Sequence, residues 1–228
     1  LDCRPSKHTM VNTFTLTRAG DRSPDTMQGI DEGAFMIHEQ HVISLEAAPT
    51  LGAAFHERVL RTPAAIAYRD HYRGQWREHT WQQTQDAVAR WQRALQQEQL
   101  QAGDRVAILC ANSWDWVVCD QALQGLGLVT VPLYTNDRAA NIEWILRDSG
   151  ARLLVVQQPE HWATLMKIRE FIAAMQRVVT LEPIADAPDN TLYIDDWLEE
   201  KPAHYQLMDV DPEALATIVY TSGTTGQP

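Results

Sequence analysis

Six consecutive residues near the carboxyl end, Thr221, Ser222, Gly223, Thr224, Thr225 and Gly226, bring three kinds of phosphate ligand together. Glycine has no Cβ, so the backbone can turn tightly and approach an anion. Successive N–H groups of such a turn converge into a nest that holds phosphate oxygens. The three threonines and one serine add hydroxyl donors, and a hydroxyl also suits a metal ion. An ordinary polar turn after a strand uses the same residue types, so composition alone leaves these two readings level. Spacing removes two sharper ones. A Walker loop needs GxxxxGK followed by Ser or Thr, and the step from Gly223 to Gly226 is too short and lacks the lysine. A nucleophile elbow, GxSxG, needs Gly two positions before Ser222, where Tyr220 stands. Ser222 therefore reads as a ligand rather than a nucleophile. With no Ser/His/Asp or Cys/His constellation elsewhere, no catalytic residue and no metal ligand is assigned in this chain.

A loop of this kind needs a rigid frame behind it. Leu51, Ala54, Phe55, Val59 and Leu60 recur at helical spacing, and Thr62-Pro63 ends that helix. Short strands are expected in "AIAYRD" and "QWREHTW", around the turn "HYRG". Thr80 and Gln83 form a capping box for a helix over 81 to about 98, with Trp81, Thr84, Val88, Trp91 and Leu95 on one face. An alternation follows, with strands at 105–110, 128–133, 152–157 and 177–182. Between them come helices at 113–127 (capped by Asn112 or Ser113), 136–150 and 161–176. Gly150 falls just past the end of the second of these. The strands are continuous apolar runs, as required when both faces of a sheet are covered. The fold class is α/β, a mostly parallel sheet flanked by helices. Residues 182–191, rich in Pro and Asp, read as a surface connection, and Ala216 to Tyr220 as a strand delivering the loop. The expected division is a variable arm over 1–45, an α/β subdomain over 46–182, and a connection with the loop-bearing strand over 183–228.

The chain has 228 residues and a formal net charge of −11, with no dense basic run. That balance repels nucleic acid and anionic lipid, so neither is an expected partner. Apolar runs fall far short of the roughly 18–20 residues of a membrane span. The first residues, "LDCRPSKHT", lack a signal-peptide pattern. They also lack an initiator Met; Met10 is the expected natural start, the preceding residues then being a tag or processing remnant. Cys3, Cys110 and Cys119 make no CxxC pair and fit a reducing, cytoplasmic setting, the last two as small buried residues. His38 and His41 could face one helical turn, but without a third ligand nearby they read as part of a solvated loop. Trp76, Trp81, Trp91, Trp114, Trp116 and Trp144 read mostly as packing rather than as base-stacking residues. The run "DDWLEE" (195–200) reads as a solvated face. Asp120, a carboxylate in an otherwise apolar helix, needs a partner and reads as a structural hydrogen-bond acceptor.

The string "YTSGTTGQP" (220–228) resembles the signature of the adenylate-forming superfamily, Y-T-S-G-T-T-G-x-P-K-G, with Gln227 at the free position. That superfamily includes acyl-CoA synthetases, peptide-synthetase adenylation domains and luciferases. The resemblance covers most of residues 50–228, through "HTWQQTQDAVARWQRAL" and the segment from Gly103 to Val156. The form "VPLYTN" followed by "NIEWILRDSGARLLVV" is more like bacterial long-chain fatty acyl-CoA synthetases than peptide-synthetase domains. The resemblance implies ATP, Mg²⁺ and CoA as cofactors and a fatty or other carboxylic acid as substrate, with a homodimer left open. The carboxylate attacks the α-phosphate, pyrophosphate leaves, and a thiol then displaces AMP from the acyl-adenylate. It further implies that Thr221, Ser222, Thr224 and Thr225 hold the β- and γ-phosphates beside Mg²⁺, while Gly223 and Gly226 give the loop its shape. The family's next residues, Lys-Gly, lie past Pro228, as do its adenine contacts, acyl pocket and catalytic lysine. The chain is therefore expected to be the N-terminal fragment of a ligase, inactive alone. The alternatives are a ligase for an aryl, amino or short-chain acid and a non-catalytic scaffold that retains the fold; a P-loop NTPase is disfavoured by spacing.

Overall fold

Where a strand is apolar at every position, both its faces must be covered, and that requirement organises this molecule. The structure is a computed structural model describing residues 42–72 and 74–221. In chain order the elements are α1 (Leu51–Arg61), β1 (Ile66–Tyr72), β2 (Gln75–Thr80), α2 (Trp81–Gln97), β3 (Arg105–Leu109), α3 (Trp114–Gly125) and β4 (Val129–Pro132). They continue as α4 (Ala139–Ser149), β5 (Leu153–Val156), α5 (Pro159–Leu165), α6 (Arg169–Ala174), β6 (Arg177–Thr180), β7 (Thr191–Tyr193) and α7 (Ile194–Trp197). The main sheet is parallel, in the order β4-β3-β5-β6-β7.

Alternate residues of each strand feed two separate cores. Val106, Ile108, Leu153 and Val155 pack with Phe55, Val88, Trp91, Leu95 and Leu123 on the face covered by α1, α2 and α3. Ala107, Leu109, Leu154 and Val156 pack with Ile142, Ile145, Leu146, Leu165 and Ile172 on the face covered by α4, α5 and α6. The period-two alternation of a strand thus becomes a two-faced sheet.

The caps follow from sequence chemistry. Thr80 and Gln83 close the expected capping box at the start of α2. Ser113, rather than Asn112, caps α3 by accepting from the Trp116 N–H at 3.2 Å. Gly150 ends α4 in the left-handed region at φ 62°, where a side chain would be strained. The β1–β2 hairpin is antiparallel and meets α2 and α3 through ring contacts, Tyr68 against Trp81 and His79 against Trp114. Asp70 accepts from Arg77 and pairs with His79, whose ring stacks on Trp114 with centroids 4.0 Å apart.

Several expectations change. The helix expected over 161–176 is two helices, α5 and α6, joined by a 3₁₀ turn at Met166–Ile168. Leu165, Ile168 and Ile172 still bury one stripe across that break. The helix expected from 136 begins at Ala139, because Asp137 turns its carboxylate onto the Arg138 N–H and the Asn141 amide. Leu51 and Leu60 are 49% and 62% exposed, so the buried stripe of α1 is carried by Phe55 and Val59. The run 195–200 is not wholly solvated: Asp195 and Asp196 are exposed, but Trp197 is buried against Trp91 and donates to Glu98 at 3.0 Å. Just before it, β7 adds a fifth strand to the sheet. The strand expected over 216–220 reduces to one bridge, Thr217 to Thr130. Of the arm expected over 1–45, residues 1–41, with Cys3, Met10, His38 and His41, lie outside the described residues.

Candidate phosphate-binding site

The segment that leads to the loop lies along β4, the strand at one end of the main sheet. The Thr130 N–H donates to the Ala216 carbonyl at 3.0 Å, and the Ile218 N–H donates to the Thr130 carbonyl at 3.0 Å. The Thr217 hydroxyl adds a third bond to that same carbonyl, also at 3.0 Å. Pairing is parallel, so the chain leaves toward the carboxyl ends of the strands. In open parallel α/β sheets that edge is where ligands bind. Ile218 and Tyr220 turn inward against the core beneath α4, while Thr217 and Val219 face out.

A buried polar cluster stands behind this pairing. Thr130 donates its hydroxyl to Asp120 Oδ1 at 2.7 Å. The Gln124 amide donates to Thr130 Oγ1 at 3.2 Å and to the Ala216 carbonyl at 3.0 Å, and reaches Asp120 Oδ1 at 3.4 Å. Gln121 donates to Asp120 Oδ2 at 3.2 Å. Burial pushes the Asp120 carboxyl above the ordinary carboxylate range, and the donors from Thr130, Gln124 and Gln121 pull the other way. The partner that Asp120 needs is thus a network reaching the segment before the loop, and its role is structural.

Tyr220 fixes the far end. Its hydroxyl donates to Asp148 Oδ2 on α4 at 2.7 Å, and its ring meets Trp144 edge-on at 5.7 Å. Burial, and then the neighbouring Asp148 carboxylate, push the phenol up to about 12, so it stays a donor at neutral pH. Thr221 follows, exposed. Ser222, Gly223, Thr224, Thr225 and Gly226 lie outside the described residues.

Farther upstream, residues 205–208 are clamped to the helices. Gln92 and Gln206 exchange two hydrogen bonds at 2.8 Å, the Gln92 amide imitating a strand neighbour. The Met208 N–H donates to the Gly125 carbonyl at 2.8 Å, and the Tyr205 hydroxyl donates to the Gly52 carbonyl at 3.0 Å.

The described residues supply no group of three or more His, Cys, Asp or Glu placed to hold a metal ion. No helix among them is long and apolar enough to cross a membrane. Cys110 and Cys119 are buried, and burial pushes the Cys110 thiol up to about 11 and that of Cys119 well above its usual value. Neither is placed as a nucleophile. Gln124 and Thr130 are the site residues that sequence reasoning missed. The available signal was a threonine inside the apolar run "LVTVPL" and a glutamine four residues after Asp120 on one helix face.

Comparison with known proteins places this geometry. A profile of AMP-binding enzymes matches residues 55–228. The chain is 31% identical over 185 residues to the long-chain-fatty-acid–CoA ligase FadD15 of Mycobacterium bovis, covering 76% of this chain and 29% of that protein. It is 33% identical over 174 residues to the 2-succinylbenzoate–CoA ligase of Geobacillus kaustophilus, covering 75% of this chain and 30% of that one. Among solved structures, the anthranilate CoA ligase AuaEII in complex with anthranoyl-AMP superposes with a TM-score of 0.57 at 27% identity, over 66% of this chain and 28% of that one. The chain thus spans under a third of the length of these relatives. The match over 55–228, running through the bridge at Thr217 and the string at 220–228, shows that the chain belongs to the family of AMP-binding enzymes.

Proposed function

We propose that this chain is the part of an AMP-forming acid–CoA ligase that grips the phosphate tail of ATP, and that the acid is a long-chain fatty acid. The observation that carries the reading is the string at 220–228, which follows directly on a segment tied to β4 by Thr217 and to α4 by Tyr220. A parallel α/β sheet offers that edge to ligands. In this reading the backbone N–H groups and hydroxyls of Thr221, Ser222, Thr224 and Thr225 surround the β- and γ-phosphates, and Gly223 and Gly226 let the main chain approach. Attack by the acid's carboxylate on the α-phosphate forms the acyl-adenylate and releases pyrophosphate, which the loop holds as it departs. Catalysis is then positioning and charge neutralisation, with no covalent enzyme intermediate. A Mg²⁺ ion beside the phosphates, held by the loop's hydroxyls, would add to the neutralisation of the leaving pyrophosphate, and the second half-reaction is displacement of AMP by the thiol of CoA.

The fatty-acid assignment rests on the FadD15 likeness at 31% identity and on the form "VPLYTN". The 2-succinylbenzoate ligase, at 33%, supports the competing reading of an aryl-type acid. A cytoplasmic enzyme and the three-part division of the chain belong to the same proposal. The test is acid-dependent exchange of labelled pyrophosphate into ATP by the full-length protein, with long-chain fatty, aryl and amino acids in parallel. Preferential exchange with fatty acids supports the reading. Preference for another acid moves it within the family, and failure to bind ATP at all leaves a scaffold. Residues 1–228 alone are expected to give no exchange.

A further inference from the structure

We propose that Gln124 and Thr130, oriented by Asp120, are positioning residues that set the register from which the phosphate loop starts; the inference rests on the phosphate-binding role proposed for residues 221–226. The segment 216–218 has a single bridge to the sheet, with one backbone bond on either side of Thr217. A pairing that short is weakly specified, because sliding it by one residue breaks few bonds. The outward and inward sides of the segment offer only partial resistance, since Ile218 and Tyr220 are half-buried rather than sealed, and the Tyr220 bond to Asp148 that holds the far end is exposed to competing water. A slip would carry every following donor by about 3.3 Å, more than the length of a hydrogen bond. Donors to a reacting phosphate must be held far more closely than that, to within about 0.5 Å.

The polar cluster supplies what the short bridge lacks. The Gln124 amide recognises one carbonyl, that of Ala216, and shares it with the Thr130 N–H. The Thr130 carbonyl takes both the Ile218 N–H and the Thr217 hydroxyl. Asp120 accepts the Thr130 hydroxyl at 2.7 Å, which leaves the lone pairs of that oxygen turned to Gln124. Thr130 is 1% and Gln124 8% exposed, so water does not replace these bonds easily. A one-residue slip would take from Gln124 its shortest bond, at 3.0 Å to the Ala216 carbonyl, and leave the buried amide only the longer contacts to Thr130 Oγ1 at 3.2 Å and Asp120 Oδ1 at 3.4 Å. The cluster therefore acts as a register stop. It touches neither nucleotide nor acid and works only through the segment it holds.

The experiment uses the full-length protein with two near-isosteric changes, Thr130→Val and Gln124→Met, and with Thr130→Ser as rescue. Two quantities are read. One is hydrogen exchange of peptides covering 216–221, compared with peptides of β5. The other is the KM for ATP against the KM for the acid in pyrophosphate exchange. The expected result is at least tenfold faster exchange over 216–221 in both variants, with β5 peptides within twofold of the wild type. The KM for ATP should rise at least fivefold with the KM for the acid within twofold, and Thr130→Ser should return both readouts to within threefold of the wild type. Unchanged exchange over 216–221 overturns the inference. So does a parallel loss in β5, which would mark general destabilisation, or a failure of Thr130→Ser to restore the segment. If the wild-type protein shows no pyrophosphate exchange with any acid, the ligase reading fails, and the hydrogen-exchange comparison still decides whether the cluster sets the register.

Discussion

Gly125→Ala sets two effects against each other, and the structure decides the sign. Gly125 is the last residue of α3, where alanine would gain at most about 1 kcal/mol in helix propensity. A Cβ there would lie 2.3 Å from the Gln92 amide nitrogen, 2.9 Å from the Gln206 carbonyl and 2.9 Å from the Tyr205 hydroxyl. Gln92 cannot swing aside freely, because it is fully buried and exchanges two bonds with Gln206. Overpacking at such a site costs about 1–3 kcal/mol. Pushing the 205–208 segment outward also loses the two Gln92–Gln206 bonds, worth about 1 kcal/mol each. Allowing for the propensity gain, the segment should be held about 2–4 kcal/mol less tightly. At about 1.4 kcal/mol per factor of ten, that means amide exchange at Gln206 and Met208 roughly 30- to 1,000-fold faster in the variant. Peptide-resolved hydrogen exchange on the full-length protein measures this directly. Protection at 205–208 that is unchanged or increased would refute the reasoning, because propensity would then outweigh the close approach of α3 to this segment.

Three further outcomes follow from burial and pairing. Because burial raises the Asp120 pKa, the folded state holds that proton more tightly than the unfolded state does, so its contribution is complete below the ordinary carboxylate range and is lost as pH rises through the folded value. Asp120→Asn removes that loss, and its urea midpoint relative to the wild type should climb as pH rises above the ordinary carboxylate range; a difference independent of pH would contradict this. Glu98→Ala leaves the Arg177 guanidinium and the buried Trp197 indole without the carboxylate they share at 2.8 and 3.0 Å, and should cost about 2–4 kcal/mol in chemical denaturation; a loss below about 0.5 kcal/mol would show that water replaces it. Cys110 and Cys119, buried and with thiol pKa values raised, should resist iodoacetamide at neutral pH until the chain is unfolded, as read by mass spectrometry; rapid labelling of either in the native state would contradict their placement.

Much of the frame was legible because local pattern and global burial agree. The runs at 105–110, 128–133, 152–157 and 177–182 are dominated by apolar residues without polar alternation, and each becomes a strand covered on both faces. Thr80 with Gln83, Ser113 and Gly150 announce helix ends by chemistry that acts within four residues. What could not be read depends on distant partners. β7 is three residues long and follows a Pro- and Asp-rich connection, so only its pairing with β6 makes it a strand. Trp197 is hidden in an acidic run, and its burial follows from Trp91 and Glu98, about a hundred residues earlier. Ala216 to Tyr220 has the residue types of a strand, yet one bridge forms, and its stabilising amide comes from Gln124, 92 residues before Ala216. Asp120 advertised its need for a partner; which partner, and toward what end, required the sheet. The phosphate-binding role proposed for Ser222 to Gly226 rests on the sequence string alone.

The measurement that bears most directly on the central claim compares ATP with AMP. The full-length protein carrying Thr224→Val and Thr225→Val is titrated with each nucleotide by calorimetry, beside the wild type. If the loop grips the β- and γ-phosphates, the Kd for ATP rises at least tenfold while that for AMP, which lacks those phosphates, stays within twofold. Equal effects on both nucleotides, or no effect on either, would contradict the account.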